Sequence, residues 1–361
     1  MMTRIWGTVL IIILLGASLR CIQEIPFAAT EGAELMVVNG GITNLDEDHI
    51  VYLSRTVKYG VPPVPLTNCV VTLHESNTSS WQFFEPFPGK YVLPAGFFKA
   101  TVGSVYYLKI ILQNGDEYQS DPEMILPPVQ PDSISWTVNR EAIKSKDGFT
   151  TSIDAVQLFI NTLLPENQKD TYLRWVTQSA YQFTTMPECS PFRTVYTCHY
   201  SKFINPGNLY IYDNHDIGEN EVRQYKIGFE AIDPNYRFME THYYSVYQYR
   251  ISDKAYDYYR KLDLVANQNG SIFDAIPASI QSNVYNVRNE SERVLGYFQA
   301  ASAAVIRLRL VPSDFTGKYG LLSKEQNLCG WLRGAIDSKY FVGCCNCSAL
   351  PDQEVTKPDW W

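Results

Sequence analysis

The chain has no basic stripe, no H-E-x-x-H pair, no nucleophile elbow, no internal repeat and no low-complexity segment. It also lacks an apolar run near the roughly 20 residues that a membrane-crossing helix needs. Each absence excludes something. Without clustered Lys and Arg, and with a formal net charge of −8, nothing counters nucleic-acid phosphates, so no nucleic-acid partner is expected. His49, His74, His199, His215 and His242 are scattered, which removes the usual signatures of zinc peptidases and α/β-hydrolases. The chain is therefore not expected to be an enzyme or to hold a cofactor. Charged residues make up only 19% against 45% apolar ones, the composition of a folded chain and not of a disordered one.

Aromatic residues are abundant. The chain carries 25 Tyr, 17 Phe and 7 Trp, side chains that suit half-buried pleated surfaces. Tyrosine also serves recognition faces, because it joins a large rigid area to a polar tip.

The first residues have the layout of an export signal. Arg4 precedes the apolar run Ile5 to Ala17, which is too short to span a bilayer well. Cys21 closes the segment, and Gln23-Glu24 begin polar sequence at once. A cysteine here resembles a bacterial lipobox, which predicts a signal peptide over 1–20, lipidation of Cys21 and a tether over 21–29. Arg20 departs from that pattern, since a small residue usually precedes the cysteine. Acyl chains contribute about 0.8 kcal/mol per buried methylene, enough in a multiply acylated terminus for firm membrane attachment.

Short strand candidates follow at close spacing: Leu35–Val38, Ile50–Leu53, Val70–Leu73, Gly89–Leu93 and Ser104–Ile110. Gly40-Gly41 reads as a separator between the first two. Asn114-Gly115 marks a hairpin returning through Glu117–Ser120, because both turn positions accept positive φ. This spacing predicts an Ig-like β-sandwich over 30–126. Leu126 to Pro131, rich in proline, reads as a stiff extended linker.

A larger β-rich domain with one or two helices is expected over 132–361. Its strand candidates are Asp132–Val138, Ala155–Ile160, Thr171–Val176, Asn208–Tyr212, Tyr243–Tyr249, Leu295–Ala300 and Ala304–Leu308. One helix stands out, with Ser252 as N-cap, Asp253 at its positive end, Ala255, Tyr258, Tyr259 and Leu262 at helical spacing, and Gly270 as a stop.

With these motifs in order, the chain resembles a known group. The segments LMVVNGGITN (Leu35 to Asn44), Val51 to Thr56, Gly103 to Ser120, and Leu126-Pro127-Pro128 with Asp132-Ser133-Ile134 carry the first half of the likeness. Ile251 to Tyr259, Val294 to Ser302, and the tail Cys344 to Cys347 with Lys357 to Trp360 carry the second. The family is the Bacteroidota outer-membrane lipoprotein family catalogued as domain of unknown function 4249. The resemblance implies a carboxypeptidase-regulatory-like or Ig-like first domain and a lipid anchor at Cys21. Its members are usually encoded beside TonB-dependent outer-membrane transporters, which implies an accessory role in nutrient uptake at the cell surface. It implies no catalytic residues.

Seven cysteines remain after Cys21, and in an exported chain disulfides are the default. Cys189 and Cys198 flank a short loop that a bridge between them would close. Cys329 with one of Cys344, Cys345 or Cys347 would tie the tail to the second domain. Cys69 alternates with strand residues and reads as a buried free thiol. Four thiolates (Cys329, Cys344, Cys345, Cys347) could instead hold zinc, but only Cys344 and Cys347 have C-x-x-C spacing, so no metal is expected. The densest polar cluster, Asp213 to Asp216 with Glu219, lacks the EF-hand pattern and reads as a solvated loop.

The leading expectation is a surface-exposed lipoprotein that serves a TonB-dependent transporter as accessory or substrate-binding subunit. The alternatives are a structural subunit of a surface assembly or secretion machine without its own ligand, and a divergent surface hydrolase.

Overall fold

The computed structural model describes residues 34–57, 61–76, 79–144, 150–165, 170–185, 195–205, 207–215, 220–232, 235–266, 280–316, 347 and 352–361. The expected leader, Cys21 and tether lie outside these residues, as do Cys189, Cys329, Cys344 and Cys345.

The chain is mostly β. Its first part forms β1 (Met36–Ile42), β2 (His49–Arg55), β3 (Val64–Pro65), β4 (Val70–Glu75), β5 (Ser79–Gln82), β6 (Phe84–Phe87), β7 (Lys90–Leu93), β8 (Val105–Ile111), β9 (Glu117–Ser120) and β10 (Glu123–Met124). Period-2 alternation sets their faces. Met36 and Val38, Val51 and Leu53, Val71 and Leu73, and Leu108 and Ile110 all turn inward to one core. The β8–β9 hairpin is the one expected from Asn114-Gly115: Gly115 sits at φ +85°, and Asp116 N–H donates to Asn114 Oδ1 at 3.1 Å.

The second part forms β11 (Ser133–Lys144), β12 (Thr150–Leu163), β13 (Tyr172–Thr184), β14 (Thr197–Phe203), β15 (Tyr210–Asp213), β16 (Glu221–Ala231), β17 (His242–Ile251), helix α1 (Asp253–Ala266), β18 (Val284–Asn286), β19 (Val294–Ala300), β20 (Ser302–Leu310), a one-turn helix α2 (Ser313–Thr316) and β21 (Gln353–Val355). A three-stranded sheet β11-β12-β16 packs over β20-β17-β13-β14-β21, with β15 also paired to β13. Leu158 and Ile160 from one sheet meet Leu173, Trp175, Tyr244 and Val246 from the other. Helix α1 begins as expected, with Ser252 Oγ accepting from Ala255 N–H at 3.2 Å.

Residues 30–126 do not close the first sandwich by themselves. Its sheets run β19-β1-β2-β7-β6 and β18-β9-β8-β4-β5, so two strands from the second half complete it. β19 lies parallel to β1 from Met36 opposite Val294 to Ile42 opposite Ala300. The chain then crosses at buried Ala301 straight into β20 of the second sandwich. The expected linker is packed down as well: Val129 is buried, its carbonyl accepts from Gln248 Nε2 at 2.8 Å, and Pro127 O accepts from Arg250 Nη1 at 3.1 Å.

Gly40 and Gly41 do not separate strands. They sit inside β1, where a Cβ at Gly40 would come 2.2 Å from Ile50 O and one at Gly41 would come 2.3 Å from Gln299 O. The missing side chains let β2 and β19 approach from both sides, the other reason a strand carries glycine.

Candidate ligand-binding cleft

Alternation along β13 determines which side chains leave the core. Leu173 and Trp175 point inward and are buried, so Arg174 and Val176 between them face the outer side of the sheet. Arg174 stands opposite Tyr249 of β17. Helix α1 brings a second tyrosine over it. The guanidinium lies 4.4 Å from the Tyr259 ring centroid and 5.7 Å from that of Tyr249. Its Nη1 donates to Gln299 Oε1 of β19 at 3.3 Å. Arg174 thus touches groups from both halves of the molecule where they meet.

This arginine is half-buried, and among the described residues no carboxylate forms an ion pair with it. Aromatic faces offset part of the desolvation of a cation, but they leave guanidinium N–H groups without acceptors. Burial in the same place pushes the phenols of Tyr249 and Tyr259 up from their ordinary range, so both remain neutral donors near neutral pH.

Two cavities open on either side of Arg174 and share Asn39 in their linings. The smaller, about 230 Å³, runs past Gly40, Gly41, Glu47, His49 and Tyr249. Glu47 accepts from Thr43 Oγ1 at 2.9 Å, and burial raises its pKa above the ordinary 4.5. The larger, about 370 Å³, reaches Val176, Phe203, Asn205, Asn208 and Tyr210. It exists because β13 changes partner along its length: Tyr172–Trp175 pair with β15 and Gln178–Thr184 with β14. Ile204, Asn205, Asn208 and Leu209, from between those two strands, line the cavity with Val176 and Thr177. Among the described residues, no acidic side chain lines the larger cavity.

A second polar cluster lies inside the second sandwich. His242 Nε2 is 3.1 Å from Ser179 Oγ and 3.4 Å from Glu230 Oε2. Serine, histidine and carboxylate suggest a hydrolytic triad by composition, yet the arrangement differs. Both partners meet the same ring nitrogen, while Nδ1 is committed to Arg237 O at 3.0 Å. A triad needs the two nitrogens divided between nucleophile and carboxylate. Ser179 is also fully buried. Glu230 pairs with Lys202 at 2.7 Å; burial opposes its charge, but His242 and Lys202 outweigh that and hold the carboxyl at about 2.

Of the sequence-predicted site residues, two meet. Cys198 is disulfide-bonded to Cys347, which corrects the expected Cys189–Cys198 bridge. The reason is long-range: the tail returns as β21 along the edge strand β14, with His199 opposite Val355, and this sets Cys347 against Cys198. Asp352 fastens the same tail to Arg237 Nε at 2.8 Å and to the Tyr181 hydroxyl at 2.8 Å. The pairing also takes Cys347 from the zinc alternative. The one grouping of metal-ligand types among the described residues, Cys198, Cys347 and Glu354, contains this disulfide. Cys69 is a free thiol, half-buried, and burial raises its pKa. In the polar cluster, Asp213 Oδ1 accepts from His215 N–H at 2.7 Å and Asn214 Oδ1 from Thr171 N–H at 2.8 Å; Asp216 and Glu219 lie outside the described residues.

No motif sets Arg174 apart in the sequence. The available signal was a lone cation at an outward position of the apolar stretch Tyr172 to Val176, which by itself reads as a solvated charge.

A family model described as Domain of unknown function (DUF4249) matches residues 22–307. No curated protein matches the chain.

Proposed function

Starting from the chain's membership of the DUF4249 family, we propose that the protein is a surface-exposed, outer-membrane lipoprotein and the accessory or substrate-binding subunit of a TonB-dependent transporter. The observation that carries this reading is the cleft at Arg174, a half-buried cation between aromatic rings with cavities on both sides. Concave sites lined by aromatic side chains and a few convergent polar groups are the usual form of small-ligand sites. The lipobox-like Cys21 would supply the tether. Phe84 and Phe87 on edge strand β6 are 50% and 64% exposed, and uncovered aromatic side chains of this kind suit a partner surface.

The test is purification from the native outer membrane through a tag on the mature chain, with mass spectrometry of the N-terminus. The expected result is a diacyl- or triacyl-cysteine at position 21 and a co-purifying TonB-dependent barrel. An unmodified terminus, or recovery of the protein alone from gentle detergent, overturns the proposal.

A further inference from the structure

Among the described residues, no carboxylate forms an ion pair with the half-buried Arg174. Nη1 is used on Gln299, and the tyrosine rings take the guanidinium's faces. Arginine has five N–H donors in a planar fork that matches a carboxylate. The larger cavity brings amide side chains of Asn39, Asn205 and Asn208, the exposed ring of Phe203 and the Tyr210 phenol to the same opening. The smaller one brings Glu47 and Asp48. The two sides therefore differ in charge: an anion beside Arg174 meets no carboxylate among the described residues of the larger cavity and meets Glu47 and Asp48 beyond the arginine. That asymmetry admits a single negative charge and disfavours a second one extending past it.

We propose that the larger cavity binds a monocarboxylate of about the size of one acidic sugar or a dipeptide, with the carboxylate forked on Arg174 and the rest against Phe203, Tyr210 and the asparagine amides. This rests on the reading of the cleft as the ligand site and names the ligand's class. A volume of about 370 Å³ lies at the small end of ligand pockets, which span roughly 300–1,000 Å³.

The test is calorimetric titration of the full mature chain in detergent with two matched pairs. One pair is D-glucuronate and D-glucose; the other is glycyl-phenylalanine and its C-terminal amide. The acid of at least one pair should bind about tenfold or more tightly than its neutral partner, as expected for charge-assisted hydrogen bonds, and the pair that responds identifies the source. Arg174→Gln should abolish that preference, and Arg174→Lys should keep only part of it because the fork is lost. Should Arg174→Gln fold poorly by thermal melting, Asn208→Asp replaces it: this exposed rim position would place a negative charge in the cavity and weaken the acid several-fold more than the neutral compound. Equal binding of acid and neutral partner, no binding of either acid at 10 mM (about the ceiling for a useful site), or an acid preference that survives both substitutions overturns the proposal. A transporter that co-purifies while both acids fail to bind would sink the ligand class alone and leave the accessory role standing.

Discussion

Tyr297 donates its phenolic hydrogen bond to the carboxylate of Glu123 across 174 positions of sequence. The pair sits where the chain passes from the first sandwich into the second. Glu123 also accepts from Ala300 N–H at 3.0 Å and from Ser252 Oγ at 3.1 Å. One buried carboxyl thus gathers the end of β19, the cap of α1 and the end of β10. The hydrogen bonds favour its charged form, but burial is the larger effect and raises its pKa above 4.5.

The sign of the resulting pH dependence follows. A carboxyl whose pKa is higher folded than unfolded stabilises the fold most below the unfolded value, and that contribution fades as pH rises through the folded one. Glu123→Gln removes the titration and replaces one of the two accepting oxygens with an amide donor. It is expected to cost about 1–3 kcal/mol, with the penalty largest at acid pH and shrinking above pH 4.5. Urea unfolding of both proteins at several pH values measures it; a penalty that grows with pH would contradict the assignment.

Much of this architecture was legible along the chain, and the exceptions are either local irregularities or long-range meetings. The β8–β9 hairpin and helix α1 were readable because their signals are local: Asn114-Gly115 carries its own turn, and Ser252 its own cap. β16 was not anticipated, since its register against β12 shifts twice, near Leu158 and Ile160, and Gln224 takes a positive φ of 46°. Those irregularities erase the alternation that announces a strand. The β1–β19 pairing, the Cys198–Cys347 bridge and the Arg174 cleft each join residues more than a hundred positions apart or on separate strands. Periodicity carries no information about such meetings.

Glu230 responds to acid in the opposite sense. Its carboxyl is buried, yet His242 and Lys202 keep it ionised down to about 2, against an ordinary 4.5. A depressed folded pKa gives stability that is complete above the unfolded value and is lost as pH falls from about 4.5 towards 2. Glu230→Gln should therefore flatten the acid limb of the stability profile. Glu230→Ala should cost about 3–5 kcal/mol at neutral pH, because it leaves Lys202 and His242 facing a buried gap. Acid titration followed by circular dichroism distinguishes the two.

The Cys198–Cys347 bridge closes a separation of 149 residues. Loss of a bridge of this kind costs about 2–5 kcal/mol, and the chain-entropy account puts long loops at the upper end. Cys198→Ser is expected to lower the melting temperature and to release the tail. Trp361 packs on Tyr243 and Trp360 on the Arg307 guanidinium at 4.4 Å, so release should shift tryptophan emission to the red. A variant with unchanged emission and unchanged hydrogen exchange at Gln353–Val355 would mean that β21 and Asp352 hold the tail without the bridge.

Among the described glycines, Gly296 is the sharpest backbone constraint. Its φ is +87°, and a Cβ there would lie 1.9 Å from Val38 O, inside any van der Waals contact. Two independent penalties therefore meet at one residue: L side chains rarely adopt that φ, and the neighbouring atom is backbone, which cannot rotate away as a side chain tip could. Gly115, also at positive φ, provides the control, because nothing lies within 4 Å of the Cβ it would carry. Gly115→Ala should cost only the conformational penalty, about 1–2 kcal/mol. Gly296→Ala must in addition push β19 away from β1. That displacement reaches Tyr297 and Gln299, so it should loosen the Glu123 junction and withdraw the Gln299 acceptor from Arg174. The expected outcome is a destabilisation well beyond that of Gly115→Ala, with faster hydrogen exchange concentrated in Met36–Ile42 and Val294–Ala300. Comparable losses in the two variants would mean that the parallel β1–β19 pairing yields easily, and the cleft would then lack the rigid wall on which Gln299 holds Arg174.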